Sequence, residues 1–304
     1  MPYARANGID LYYETFGDPS DPPILLVMGL GAQLLLWEEE FCRGLVDRGF
    51  FVIRYDNRDV GLSTKIEGGP QPDVQKALAG DHSTASYTLW DMADDAAGLL
   101  DALGIDRAHV VGASMGGMIV QCLAIAHPQR LRSLVSIMST VGNPNVGQPK
   151  PEAMAALLAP PPPTREEAIE QGVRTWKIIG SPAYPRDEAE LRAQVAAAYD
   201  RCWYPIGTAR QLVAILATGD RSEALRSVRV PALVIHGEDD PLVTLSGGIA
   251  TAEAIPGAKL LTFPGMGHDL PRALWPQILD AIAEHARAAD AGAGQSYREP
   301  ASGS

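Results

Sequence analysis

Short uninterrupted apolar runs, separated by stretches of helical periodicity, restrict the fold of this chain more than any other feature. Residues 24–28 (ILLVM), 50–55 (FFVIRY), 109–112, 134–138, 232–236 (ALVIH) and 259–263 read as strands. A strand without polar alternation is buried on both faces, as in a parallel sheet. Residues 39–48, 87–103, 115–127 and 273–286 carry apolar side chains three and four apart and read as helices. Strands alternating with helices predict an α/β fold, a mostly parallel central sheet flanked by helices. Ligands of such sheets bind at the carboxyl ends of the strands. Residues 9–15 (IDLYYET) alternate apolar and polar and run into Gly17-Asp18-Pro19, which predicts a first strand and a hairpin.

The alternation stops from about residue 141 to residue 226. That stretch opens with Gly142-Asn143-Pro144-Asn145 and carries Pro160 to Pro163, a rigid spacer. Thr164-Arg165-Glu166-Glu167 matches a capping box and starts a helix through Ile179. Helical patterns follow at 187–202 and 207–218. The expected organisation is a core of residues 1–140 and 226–288, with a helical cap at 141–225 over the active-site end. A surface excursion away from the site is the other reading. The tail, 289–304, is rich in Ala, Gly and Ser and is expected to be disordered. A chain of 304 residues, 46% hydrophobic, can bury such a core without disulfide or metal.

The net charge of −12 repels phosphate backbones and anionic headgroups, which argues against nucleic-acid and membrane partners. The three cysteines, Cys42, Cys122 and Cys202, form no disulfide framework and have no metal-ligand spacing. They read as free, mostly buried thiols, with a catalytic cysteine as the alternative. The N-terminal residues lack the pattern of a signal peptide, and the apolar stretch 24–37 is broken and too short to span a bilayer, so the cytoplasm is expected.

Chemistry concentrates in Gly112-Ala113-Ser114-Met115-Gly116, a G-x-S-x-G between a strand and a helix. The pentapeptide alone is a weak signal; the strand–turn–helix setting makes it a nucleophile elbow. The glycines leave room for a tight turn that lifts the Ser114 hydroxyl out of the sheet, with the helix N-terminus aimed at the site. A serine hydroxyl needs a base. Of the six histidines, His268 lies in a glycine-rich loop after the last strand, where the order Ser, Asp, His requires it. His236 closes a strand and reads as a strand-end residue. The orienting acid should follow residues 232–236, where Glu238, Asp239 and Asp240 compete. Two backbone donors are needed for the tetrahedral oxyanion. They are expected from Met115 and, in the loop Met28-Gly29-Leu30-Gly31, from Leu30. That loop lacks the third glycine of a dinucleotide fingerprint, and no metal or phosphate motif is present, so no cofactor is expected.

These motifs resemble the α/β-hydrolase superfamily over nearly the whole chain. Asp56-Asn57-Arg58-Asp59-Val60-Gly61-Leu62-Ser63 is similar to its D-x-R-G-x-G-x-S loop, with Asp59 in place of a glycine. Met28-Gly29 stands where His-Gly is usual. Both departures are similar to the aclacinomycin methylesterase-like esterases. The resemblance implies a cap inserted after the fold's sixth strand. It also implies Asp240 as the acid, three residues after the strand-ending glycine, with Asp239 as the alternative. The other position for the acid, after residues 134–138, offers no carboxylate.

The expected function is therefore hydrolysis of carboxylic esters through an acyl-enzyme on Ser114, with His268 and Asp240. The expected partner is a small to medium hydrophobic ester; oligomeric state stays open. A C–C bond hydrolase, a thioesterase or a cofactor-free perhydrolase could use the same triad. A ligand receptor reusing the fold is a third class. Leu34, Trp37, Trp176 and Trp203 are candidates for an apolar substrate pocket, or else pack core and cap together.

Overall fold

The computed structural model describes residues 2–296. Among these residues one sheet has eight strands: β1 (Tyr3–Ala6), β2 (Ile9–Phe16), β3 (Pro23–Val27), β4 (Phe51–Tyr55), β5 (Ala108–Ala113), β6 (Leu131–Ile137), β7 (Ala232–Gly237) and β8 (Lys259–Phe263). Their spatial order is β1-β2-β4-β3-β5-β6-β7-β8. The β1–β2 and β2–β4 pairs are antiparallel, and the others are parallel. Every residue of β3, β4, β5 and β7 is buried, which is why these strands read as unbroken apolar runs.

In chain order the helices are α1 (Glu39–Val46), α2 (Val74–Leu78), α3 (Leu89–Ala102), α4 (Met115–Ala126), α5 (Pro151–Leu157), α6 (Arg165–Ile179), α7 (Glu188–Arg201), α8 (Pro205–Thr218), α9 (Ser222–Leu225), α10 (Leu245–Ala254) and α11 (Trp275–Ser296). Side chains of α1 and α11 fill the core on one face of the sheet; those of α3 and α4 fill the other. Helix α4 is apolar almost all round because it is walled in by α3 and the sheet. Each buried Leu, Ile or Val on these faces contributes about 1.5–3 kcal/mol by leaving water.

The chain passes from β3 to β4 on one side, then places β5 on the other side of β3. This reversal is the switch point where strand-end loops diverge and leave a crevice. Val27 and Gly112 are register partners there, so the loops after β3 and β5 emerge together.

Several elements differ from the sequence expectation. The hairpin turn is Asn7-Gly8, with φ of 45° and 79°, and it pairs β2 with β1. Strand β1 carries little sequence signal, because its buried side chains are the small Ala4 and Ala6. The tail is helical to Ser296. Its alanines extend α11, Ala289 is buried, and Asp290 accepts a hydrogen bond from Arg132 (3.2 Å). Residues 297–304 lie outside the described residues. No described helix is long and apolar enough to cross a membrane.

Candidate active site

Ser114 follows β5 directly and caps α4 with φ 56° and ψ −121°. That left-handed backbone is strained for a serine and marks a sharp elbow. Its N–H donates to the Ile137 carbonyl at the end of β6 (2.9 Å). The elbow also requires two missing side chains. A Cβ on Gly112 would lie 2.2 Å from the Gly116 oxygen, and one on Gly116 would lie 2.1 Å from the Val27 oxygen.

His268 Nε2 lies 2.9 Å from Ser114 Oγ, and its Nδ1 lies 2.7 Å from Asp240 Oδ2. The structure thus brings together three side chains far apart in the chain, Asp240 standing 28 residues and Ser114 154 residues before His268. Asp240 is fully buried, and its other oxygen accepts the N–H groups of Leu242 (2.8 Å) and Val243 (2.9 Å). Asp239 is exposed and accepts the Gly265 N–H instead (2.8 Å). The carboxylate beside Nδ1 favours a proton there, which leaves Nε2 free to accept from the serine hydroxyl.

His236 is buried under this acid. Its Nε2 donates to the Val243 carbonyl (2.7 Å), bracing the turn that carries Asp240. Burial pushes its pKa down and keeps it neutral. Its role was not legible in the sequence, where it is one more strand-end histidine.

The loop after β3 closes over the serine. A Cβ on Gly29 would lie 3.0 Å from Ser114 Cβ. The Gly31 N–H is taken by Gln211 Oε1 of α8 (2.8 Å), and the Ala32 N–H by the Gly29 carbonyl (3.3 Å). The Leu30 N–H has no acceptor among the described residues; nor has that of Met115, the first residue of α4. Asn57 Nδ2 donates to the Met28 carbonyl (2.8 Å) and Gln211 Nε2 to the Arg58 carbonyl (2.8 Å), so both sides of the loop are tied. Gln211, fully buried, is a site residue that sequence reasoning missed.

Ser114 and His268 line a cavity of about 1420 Å³, roofed by α5 to α8. Trp176 and Trp203 line it, as does Leu30. Leu34 and Trp37 do not. Both are fully buried in the core: the Leu34 N–H donates to Asp56 Oδ1 (2.8 Å), and the Trp37 ring stands 5.5 Å from that of Phe41. The turn after the Gly-rich loop faces Leu35 and Leu36 toward the cavity instead.

Burial pushes the thiols of Cys42 and Cys122 up to about 12, far from a thiolate at neutral pH, which removes these two from the cysteine alternative. Cys202 is half-buried and lines the cavity, but the base His268 is engaged by Ser114. Among the described residues no group of three or more His, Cys, Asp or Glu side chains could hold a metal ion.

Known proteins resemble the chain over most of its length. A family described as alpha/beta hydrolase fold matches residues 22–271. Rhodomycin D methylesterase DnrP of Streptomyces peucetius is 32% identical over 301 residues, covering 92% of this chain and 96% of its own. A putative carbamate hydrolase, RutD of Caulobacter sp. (strain K31), is 30% identical and covers 85% of this chain and 88% of its own. Among solved structures, a meta-cleavage product hydrolase from Pseudomonas fluorescens IP01 superposes with a TM-score of 0.75 at 19% identity, covering 94% of this chain and 97% of that one. At that identity the likeness is one of fold. With its eight-stranded sheet, the serine at the elbow after β5 and these relatives, the chain belongs to the α/β-hydrolase fold family.

Proposed function

We propose that the protein is a serine hydrolase that cleaves carboxylic esters through an acyl-enzyme on Ser114. The observation that carries this reading is the unbroken hydrogen-bonded chain from Ser114 Oγ through His268 to buried Asp240. His268 Nε2 takes the hydroxyl proton as Oγ adds to the ester carbonyl. The Leu30 and Met115 N–H groups receive the oxyanion, helped by the positive end of α4. His268 then gives its proton to the departing alcohol. A water attacks the acyl-enzyme by the same route, and Ser114 is released. Asp240 holds the imidazole tautomer and balances the charge that forms on it.

The relatives named methylesterases support a methyl ester as substrate. The cavity, about 1420 Å³, exceeds the roughly 300–1,000 Å³ usual for a small-molecule site. It therefore admits an acyl part larger than the small to medium ester expected from sequence. Helices α5 to α8 act as the cap that shapes this space.

The test is Ser114→Ala with a panel of methyl, p-nitrophenyl and thioester substrates and vinylogous diketones. Ester turnover should fall by several orders of magnitude in a folded variant. Near-normal turnover would end the reading, and a wild type active only on thioesters or diketones would move it to another bond.

A further inference from the structure

We propose that Ser181, in the loop joining α6 to α7, is a positioning residue for His268, holding the histidine loop through hydrogen bonds to its neighbours Gly267 and Asp269. The inference rests on the reading of His268 as the base.

His268 lies between β8 and a short 3-10 turn at Arg272–Leu274, where no ladder or helix fixes the backbone. The fixing comes from the helical block. The His268 N–H donates to the Ile179 carbonyl at the C-terminus of α6 (2.7 Å), and the Ala183 N–H donates to the Gly265 carbonyl (3.2 Å). Between these two bonds, Ser181 Oγ accepts the Gly267 N–H (2.9 Å) and donates its own proton to Asp269 Oδ1. One hydroxyl thus binds the residue before the histidine and the residue after it. The two backbones touch: a Cβ on Gly267 would lie 2.3 Å from the Gly180 oxygen. A small slip of the loop is therefore transmitted to the ring.

Asp269 makes the relay stiff. It is buried, and its Oδ2 has no hydrogen-bond partner among the described residues. Burial pushes its carboxyl up, against the opposing pull of Ser181 and Arg186. The Ser181 hydroxyl is the side-chain donor to this buried acid, and removing it would leave the carboxylate with one fewer partner in a buried setting. Ser181 is buried and is not among the residues lining the cavity, so it does not touch substrate itself. Asp269 does line it, and KM read beside kcat separates a contact made there from the placing of His268.

The experiment compares wild type, Ser181→Ala, Ser181→Thr, Asp269→Leu and the double variant Ser181→Ala/Asp269→Leu. It reads kcat and KM on a p-nitrophenyl ester, and the rate at which a fluorophosphonate labels Ser114. Ser181→Ala should lower kcat and the labelling rate together, by about tenfold or more, with KM within about twofold. Ser181→Thr, which keeps the hydroxyl, should restore most of the loss. The double variant should lose no more than the worse single variant, because both cut the same relay. Unchanged kcat and labelling in folded Ser181→Ala, or losses that multiply in the double variant, would overturn the proposal. If Ser181→Ala is not recovered folded, Ser181→Cys replaces it, keeping the volume and weakening both bonds, and is judged by the same criteria. A wild type that is never labelled at Ser114 would sink the reading of the site itself, a distinct outcome.

Discussion

Asp59 stands where the similar family loop has glycine, and its backbone explains that glycine: φ is 66°. A left-handed conformation costs a non-glycine residue about 1–2 kcal/mol. The carboxylate offsets it. Asp59 accepts from Tyr87 OH (2.8 Å) and lies 3.4 Å from Arg210 Nη1, both buried, and it accepts the half-buried Ile66 N–H (2.7 Å). Stranding buried donors costs about 1–3 kcal/mol each, so the contacts outweigh the strain. Asp59→Gly should lower the unfolding free energy by about 2–4 kcal/mol in denaturant titration. An equal or more stable variant would show that strain wins. The two acids after β7 give a second contrast. Asp240→Asn should cost about three to four orders of magnitude in kcat, since an amide favours the wrong imidazole tautomer. Asp239→Asn, on an exposed residue whose carboxylate accepts the Gly265 N–H, should change kcat by less than about threefold. Equal effects from the two substitutions would remove Asp240 from its assigned role.

At the scale of elements, α8 reaches across to the loop after β3. Gln211 gives its oxygen to the Gly31 N–H and its nitrogen to the Arg58 carbonyl, and Thr208 fills the space beside Gly31. Gln211→Leu should lower kcat by about ten- to a hundredfold and stability by about 2–4 kcal/mol, because a donor and an acceptor lose their partner inside the protein. Activity assays beside thermal melts separate the two effects, and full activity in the variant would show that α8 is dispensable to the loop. Elements such as β3, β5 and β7 were legible because burial on both faces writes itself as continuous apolar sequence. The meeting of Ser114 and His268 was legible because Ser114 follows a strand directly between two glycines and His268 lies in a glycine-rich loop after the last strand. Gln211, Ser181 and His236 were not, since a lone polar residue in a helix, loop or strand end announces no partner. The pocket expectation failed at Leu34 and Trp37 for a related reason. Apolar character says that a side chain avoids water, without saying whether core or cavity receives it.

For the molecule as a whole, the burial of His109 contributes to the response to acid. His109 bonds Ser133 Oγ (2.8 Å) and Asp290 (3.3 Å), and burial pushes its pKa down from 6.5 to about 4. A group with a depressed folded pKa lends stability that is full above its unfolded pKa and is lost as pH falls toward the folded one. The window is therefore about pH 6.5 down to about 4. Burial lowers His236 and His285 in the same direction. Asp95 and Asp269 act oppositely: burial raises them, so their penalty eases as pH falls. The difference between variants isolates the imidazole. Between pH 7 and pH 5 the wild type should lose about 2 kcal/mol more than His109→Gln. Identical pH dependence in the two would exclude His109 as the source.

The separation of β6 from β7 also acts in time. Strand β6 ends at Ile137 and its neighbour β7 begins at Ala232. On the ribosome, at roughly 5–20 residues per second, β6 waits on the order of 5–20 s for that neighbour. Through this interval its outer row of amides and carbonyls stays open to any extended segment nearby. The middle of synthesis of this enzyme fold is accordingly a stage exposed to mispairing, and a chain stalled before β7 should be far more aggregation-prone than the finished one.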